Sequence, residues 1–470
     1  MRNNSPGNDA ARDLAGSTRR ALGAGLVLLA LLSTTLAAGP QIQHWQTEQG
    51  VSVLFIAAPE LPMVDVRMVF DAGSARDGGQ KGLARLTNGL LIEGAGGLAG
   101  GHLRERLADL GAQYSFRTGR DSAWVGLRSL SDAELLIPAG EVLATIVAKP
   151  DFLPEPFTRE RTRQLQALRE RGESMRAIAA DAFYTRVYRA HPYASPTLGR
   201  ENSITVLTRT DAELFHARYY AQSNCIVAII GDLTRGQAEQ LAASITSDLP
   251  SGDAAPALPA LTQRQVEDPA DGPGGETHIN HDSKQTHVLF GQPGPAYNDP
   301  DYFALYVGNH VLGGGGFSSR LMKHIREEQG LAYSANSYFR PLKIGGPFIA
   351  GVQTRNESVQ ASIATLRATI NAFIEEGPSE EELEHAKQNI IGGFALRIDS
   401  NSKKLGYLMR IGVHGLAADH LDEFPLNVEA ITVSDVRNAF RRRLDPAGMS
   451  LITVGSQPDV PADMAPAAQQ

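Results

Sequence analysis

The 470-residue chain is 42% hydrophobic and 20% charged, with a net charge of −8. That length calls for two or more domains, and the acidic balance argues against a nucleic-acid or polyanion binder. One cysteine, Cys225, excludes an intramolecular disulfide and any cysteine-rich metal knuckle; in the apolar run 225–230 it reads as a buried structural thiol.

At the N-terminus Arg19-Arg20 precedes an apolar stretch over residues 21–36, and Ala37-Ala38-Gly39 follow. A basic flank, a short apolar core and a small-residue exit predict a secretory signal peptide in residues 1–38, or an N-terminal anchor where it is not cleaved; a full span needs roughly 20 apolar residues. Thr18-Arg19-Arg20 is a weak twin-arginine match, and a general secretory route is expected. The body is expected outside the cytoplasm, in a bacterial periplasm, free or held at the inner membrane.

Val64-Asp65-Val66-Arg67-Met68-Val69-Phe70 alternates as a half-buried strand, and Asp71-Ala72-Gly73-Ser74 turns the chain. Residues 81–92 and 103–110 read as helices, the second stopped by Gly111, with strands over 114–116 and 123–127. Pro154 and Pro156 precede one long charged helix over residues 158–180, and a helix over 211–220 leads into the strand 225–230. Pro, Ala, Gly and Asp then dominate, which predicts a flexible linker over 251–275.

The second half repeats the first. Gly111-Ala112-Gln113-Tyr114-Ser115 recurs as Gly330-Leu331-Ala332-Tyr333-Ser334, and Asp211 stands to Gly231 as Asp435 stands to Gly455. Val359, Ile363, Leu366, Ile370 and Phe373 form one helical face ended by Gly377, and Ser379 with Glu382 forms a capping box. The fold class expected is α+β: two homologous mixed α/β domains, residues 39–250 and 276–456, with a disordered tail over 457–470.

The most distinctive stretch is Gly313-Gly314-Gly315-Gly316-Phe317-Ser318-Ser319-Arg320-Leu321, followed by Arg326 and by Gly330-Leu331-Ala332-Tyr333-Ser334. The glycines permit a sharp turn or close backbone approach. A helix ended by Gly330 and a strand beginning near Ala332 send Arg326 and Tyr333 out of one corner, where a guanidinium beside a phenol can grip peptide carbonyls or carboxylates. The glycine run lacks the Lys-Ser/Thr ending of a phosphate loop, so contact with a peptide or partner is expected there.

These phrases, with Gly73-Ser74-Ala75-Arg76-Asp77, Lys81-Gly82-Leu83-Ala84, His191-Pro192-Tyr193 and Leu198-Gly199, resemble the pitrilysin/insulinase family of zinc metallopeptidases, the inverzincins, over residues 45–455. The resemblance implies two halves closing as a clamshell. It also implies a His-x-x-Glu-His zinc motif after a Gly-Leu-Ala-like lead, where this chain has Arg85-Leu86-Thr87-Asn88-Gly89. Arg85 and Gly89 stand at the two histidine positions, and Asn88, an amide that cannot take a proton from water, stands at the general-base position. The distal glutamate ligand aligns near Ala167, in a run without an acid. A catalytic zinc needs three protein ligands, so no metal or cofactor is expected in this chain.

What the resemblance leaves is the family's second-half pair, matched by Arg326 and Tyr333: the tyrosine donating to the scissile carbonyl, the arginine positioning the bound chain, and Gly313, Gly314, Gly315 and Gly316 beside them. The expected role is a non-catalytic, substrate-binding subunit of a heterodimeric extracytoplasmic zinc metallopeptidase, acting in trans on a homologous zinc-bearing partner and a peptide or protein substrate. The alternative is a pseudoenzyme that binds peptides or scaffolds the cell envelope without proteolysis. A third reading, an autonomous peptidase with a relocated metal site, has little to draw on: His278 and His281 fall on opposite strand faces, His287 brings no carboxylate, and Glu384-His385 lacks its first histidine. Arg441-Arg442-Arg443 read as a solvated helix end, and His191-Pro192-Tyr193 as a structural turn.

Overall fold

Two twisted β-sheets organise the chain in a computed structural model that describes Met1, residues 41–261 and residues 274–456. The expected signal segment, the latter part of the expected linker and the expected tail lie outside the described residues.

The first sheet has six strands: β1 (Gln43–Gln46), β2 (Ser52–Ala57), β3 (Met63–Phe70), β4 (Gln113–Thr118), β5 (Ala123–Leu130) and β6 (Cys225–Gly231), in the order β1-β2-β6-β3-β5-β4. The second has five: β7 (Glu276–Asn280), β8 (Gln285–Pro293), β9 (Ala332–Phe339), β10 (Pro347–Arg355) and β11 (Ser450–Gly455), in the order β9-β10-β8-β11-β7. Only β2–β6 and β7–β11 pair in parallel; every other ladder is antiparallel. The orders β2-β6-β3-β5-β4 and β7-β11-β8-β10-β9 are therefore the same order, and the internal repeat is a repeat of topology. Before β6 and β11, the helices Arg209–Tyr219 and Val433–Arg443 begin in matching capping boxes, Thr208 with Asp211 and Thr432 with Asp435.

Each sheet has helices of its own half on one face and one helix from the other half on the opposite face. Residues 158–180 do not form one helix. α2 (Pro154–Gly172) stops, Ser174 caps a new start by accepting from Ala177 N, and α3 (Met175–Tyr188) follows. The break frees α3 to leave its own half: Ala179, Phe183 and Tyr188 pack with Ile349, Ile452 and Val454 of the second sheet. In exchange, α4 (Asn401–His414) lays Leu405, Leu408 and Ile411 against Leu54, Ile56, Ala228 and Ile230 of the first. Strands apolar on both faces, such as β6, follow from this double cover. A fully buried Phe183 contributes roughly 2–3 kcal/mol of transfer free energy to holding the halves together.

The described part of the expected flexible linker is fastened down. Pro256 O accepts from Arg76 Nη1 at 2.6 Å, Pro259 O lies 3.0 Å from His191 Nε2, and Leu258 and Leu261 pack beside Tyr188 and Tyr193. The expected solvated end of the helix Val433–Arg443 is likewise paired: Arg442 and Arg443 bind Asp301, and Arg443 also binds Asp299.

Candidate functional site

Local chemistry fixes the helix that bears Arg85, Asn88 and Gly89. α1 (Leu83–Leu90) begins after Gly82, whose φ of +100° suits glycine. The buried carboxyl of Asp77 accepts from Gly82 N and Ala84 N, both at 2.8 Å, filling the donors a helix N-terminus leaves open. Burial raises its pKa to about 7 against those two hydrogen bonds. Gln164 of α2 donates to Gly82 O and Leu198 O, both at 3.0 Å, clamping the turn from the far side. The phrases 73–77, 81–84 and 198–199 thus serve to aim one helix.

The ligand positions on that helix hold a charge network. Arg85 Nη1 lies 3.6 Å from Glu160 Oε1, and Arg163 pairs with the other oxygen of the same carboxylate. Glu160 is buried, and burial outweighs both arginines in raising its pKa. Beside it, buried Glu93 pairs with Arg104 and with Arg159, the latter at 2.7 Å, and these contacts bring its pKa down despite desolvation. A Cβ on Gly89 would stand 2.6 Å from Glu160 Oε1 and 2.8 Å from Arg85 Nη1, so the side-chain space of a ligand there is already filled. Two carboxylates facing four guanidiniums leave the pocket with surplus positive charge, which repels a divalent cation. A zinc ion needs three donors, whereas among the described residues the pocket offers the carboxylates of Glu160 and Glu93, each held by two arginines. The residues do not fit the metal.

Glu160 was missed by sequence reading, which placed the distal acid position at Ala167. Ala167 lies two helical turns further along the same face of α2, half-buried. No local motif marks Glu160; its place opposite Gly89 emerges only when α2 packs on α1.

Asn88 is fully buried and holds α1 to the sheet. Its amide donates to Arg117 O and Thr118 Oγ1 at 3.1 Å, and more weakly to Trp124 O at 3.4 Å. The second half repeats the device. Asn309, closing the helix Tyr302–Asn309, donates to Ser337 O at 3.0 Å and accepts from Ser337 Oγ at 2.8 Å, on the strand that corresponds to β4. Asparagine at the general-base position therefore has a structural use that is shared by both halves.

The glycine run is packed for the same reason. A Cβ on Gly313 would collide with the backbone nitrogen of Ser337, one on Gly314 would stand 2.8 Å from Asn309 Nδ2, and one on Gly315 would stand 2.7 Å from His310 O. Gly316 has φ +66° and open space around it. Gly314 and Gly316 are exposed, as is Phe317, which is 67% accessible. The expected helix carrying Leu321 and Ile325 is a single α-turn, Arg320–Met322, that widens into the π-turn Lys323–Glu328 holding Arg326. Gly330, at φ +62°, ends it by donating to Arg326 O at 3.1 Å.

β9 then begins with a register shift between Ala332 and Ser334, which leaves Tyr333 as an extra residue turned out of the ladder and 72% exposed. Arg326 lies 4.8 Å over the Phe317 ring. Among the described residues neither Arg326 nor Tyr333 has a side-chain hydrogen bond or ion pair, and neither bonds to Arg85, Asn88, Gly89 or Glu160. Half-buried Arg326 and exposed Tyr333 thus both keep donors able to reach a carbonyl or carboxylate.

Of the remaining candidates, His278 Nδ1 lies 2.9 Å from Thr453 Oγ1, and His287 sits on β8 with its pKa lowered by burial and by Arg176. Tyr193, read as a turn residue, is fully buried; its hydroxyl bonds Asp121 and accepts from Ile344 N at 3.1 Å, tying the two halves. Burial raises the Cys225 thiol pKa, as expected for a structural cysteine.

Residues 52–201 match the model of the insulinase family, peptidase family M16, and residues 207–390 match that of the peptidase M16 inactive domain. A peptidase M16 inactive domain from Pseudomonas fluorescens is 33% identical, with a TM-score of 0.83 over 88% of this chain and 98% of that one. The non-peptidase homolog YmxG of Helicobacter pylori is 26% identical over 77% of this chain and 82% of its own length. An uncharacterized zinc protease of Rickettsia bellii is 24% identical over 83% and 93% respectively. The chain belongs to the insulinase family, peptidase family M16, as a non-catalytic member without its zinc-binding motif.

Proposed function

We propose that this protein is the substrate-binding subunit of a two-chain extracytoplasmic zinc peptidase, presenting Arg326 and Tyr333 in trans to the zinc site of a homologous partner. The observation that carries this reading is a contrast within one chain. Arg85 and Glu160 fill the space where the family's metal would sit, whereas exposed Tyr333 and half-buried Arg326 make no side-chain hydrogen bond or ion pair among the described residues and are held by a bulge and a π-turn. Structure of that kind is maintained at a cost, since each irregularity forgoes regular backbone hydrogen bonds. In the joint site Tyr333 donates to the scissile carbonyl oxygen as charge develops on it, and Arg326 orients the bound chain. Gly314 and Gly316 offer accessible backbone to substrate or partner. Zinc and the water it activates belong to the partner, and this chain carries no cofactor.

The extracytoplasmic placement rests on the basic-then-apolar N-terminal sequence. The test is reconstitution with a secreted homologue that has an intact His-x-x-Glu-His motif. The mixture should hydrolyse peptides that neither chain hydrolyses alone, and Tyr333→Phe should abolish most of that activity. Joint activity indifferent to both Tyr333→Phe and Arg326→Ala would refute the assigned roles. The alternative, a peptide-binding pseudoenzyme with no proteolytic partner, draws on the likeness to a non-peptidase homolog. It predicts peptide binding that no homologous chain enhances.

A further inference from the structure

Two adjoining cavities lie between the exchanged helices and the mouth of the second sheet, of about 520 Å³ and about 680 Å³; both are lined by Arg340, Pro341, Arg410 and His414. Their charge is one-sided. Arg410 lies over the rings of Tyr407 at 4.7 Å and Tyr297 at 5.2 Å, and Arg397 bonds the Tyr306 hydroxyl. Arg120 stacks on Tyr184, 3.3 Å from the ring centre, and donates to Tyr193 O. The guanidiniums of Arg117 and Arg340 have no ion pair among the described residues.

The acids of the first cavity are spent: Asp181 on Arg171 through two bonds of 2.9 Å, and Asp121 on Tyr193 and on Lys343 N. The second cavity has no acid in its lining. Elsewhere the chain pairs arginine with carboxylate repeatedly, as at Arg128–Asp65 and Arg320–Glu382. Burial and the charge of Arg410 and Lys343 hold His414 neutral, its pKa down at about 4, and Arg397 pushes the same way on His310.

Cations without carboxylates, set in partly desolvated space and flanked by phenol donors, form a receptor for carboxylates. The edge of β9 is closed to an added strand: Asn309 Nδ2 donates to Ser337 O, Ala335 N donates to Met322 Sδ, and Gly313 packs on Ser337 N, so recognition in the chamber falls to side chains, with Asn336 and Tyr338 exposed at its mouth.

We infer that this Arg120–Arg340–Arg410 chamber binds an acidic polypeptide segment, taking its Asp or Glu side chains among the guanidiniums. The net charge of −8 is no obstacle, because it averages over a surface whose acids lie elsewhere, and the chamber's attraction acts within about a Debye length. The inference rests on the peptide-binding reading above for the class of ligand but places it at a different site, and its test needs no second subunit.

The test uses the full chain and a fluorescein-labelled octapeptide of alternating Glu and Gly, beside its Gln-for-Glu counterpart, by fluorescence anisotropy at low and high salt. The Glu peptide should bind at least about tenfold more tightly, an electrostatic gap of about 1.4 kcal/mol, and salt should close that gap. Arg340→Gln, at an exposed side chain with no partner to lose, and Arg410→Gln should each remove it, while Tyr333→Phe and Arg326→Ala should leave it intact. Equal binding of the two peptides, or an Arg340→Gln variant that binds like the parent, would overturn the inference. So would tripolyphosphate displacing the peptide at matched charge concentration, which would make the chamber a general anion site. Loss of binding on Tyr333→Phe would also overturn it, by moving the peptide to the other corner. Failure of partner-dependent hydrolysis with Glu-peptide binding intact would instead count against the trans role alone.

Discussion

Arg85 Nη1 and Glu160 Oε1 stand 3.6 Å apart across α1 and α2, and the side-chain space of Gly89 opens onto both atoms. A metal position has become an ion pair: the cation is now a covalent part of the chain, and its counter-charge is a carboxylate 75 residues downstream. Removing Glu160 leaves Arg85 and Arg163 without that partner. Glu160→Gln should destabilise the fold by about 1–2 kcal/mol, less than a fully buried pair would cost because both arginines remain partly exposed. Urea denaturation measures this, and Arg85→Met in the Glu160→Gln background should recover part of the loss.

Asn88 anchors α1 to the sheet through one buried amide. Asn88→Glu, which would restore the family's acid, should cost about 2–4 kcal/mol by placing an unpaired carboxylate where no water reaches. Asn88→Ala should cost about 1–2 kcal/mol, and Asn309→Ala a similar amount, because the two residues do the same job in the two halves. Thermal melts of the variants check this; a stable Asn88→Glu protein would mean that the site is more open than the burial of Asn88 shows.

At the other corner, stability and function should separate. Tyr333→Phe should change stability by less than about 0.5 kcal/mol, as expected for an exposed side chain without a hydrogen-bond partner, and Arg326→Ala by no more than about 1 kcal/mol, the worth of its contact with Phe317. Partner-dependent hydrolysis should fall by about 10²–10³-fold for Tyr333→Phe, the range for losing one oxyanion donor. In the glycine run Gly313→Ala should be the damaging change, because its Cβ meets Ser337 backbone that cannot move aside; Gly316→Ala should cost only about 1 kcal/mol for its left-handed φ. Melting temperatures of the four variants order them.

His216 supplies a pH dependence of known sign. It lies 2.8 Å from Val147 O and stacks on Tyr220, and burial lowers its pKa from 6.5 to about 4. The folded protein therefore takes up this proton less readily than the unfolded chain. The contribution is whole above pH 6.5 and is lost as the pH falls from 6.5 to about 4, on the order of 3 kcal/mol. Buried Asp77, with its pKa raised to about 7, acts in the opposite sense, contributing most below pH 3.8 and losing that contribution as the pH rises toward 7. The measurable quantity is thus the difference between the parent and His216→Gln across pH 4–7 by chemical denaturation, which should shrink steadily as the pH falls.

Much of this was legible in residues close together in sequence. The capping boxes at Thr208 and Thr432, the phrase shared by Gly111–Ser115 and Gly330–Ser334, and the lost ligands at Arg85 and Gly89 with the lost base at Asn88 all write their meaning within a few positions. The exchange of α3 and α4 between sheets has no such local signature, since an apolar helix face does not say which sheet it will cover. The break at Gly172-Glu173-Ser174 was written in the sequence as a glycine and a capping serine, and was overridden by the charged helical pattern on either side. Glu160 and the unpaired arginines of the chamber were invisible for one reason: their significance lies in what packing places beside them, and composition averages it away.

The central claim is that this chain holds a polypeptide and leaves the metal to another. Its most direct test is metal analysis of each chain, by mass spectrometry, after the reconstituted pair is separated without denaturation. The account predicts about one zinc per partner chain and a negligible amount in this one, unchanged by Glu160→Gln. A stoichiometric, tightly held zinc in this chain that Glu160→Gln releases would contradict it.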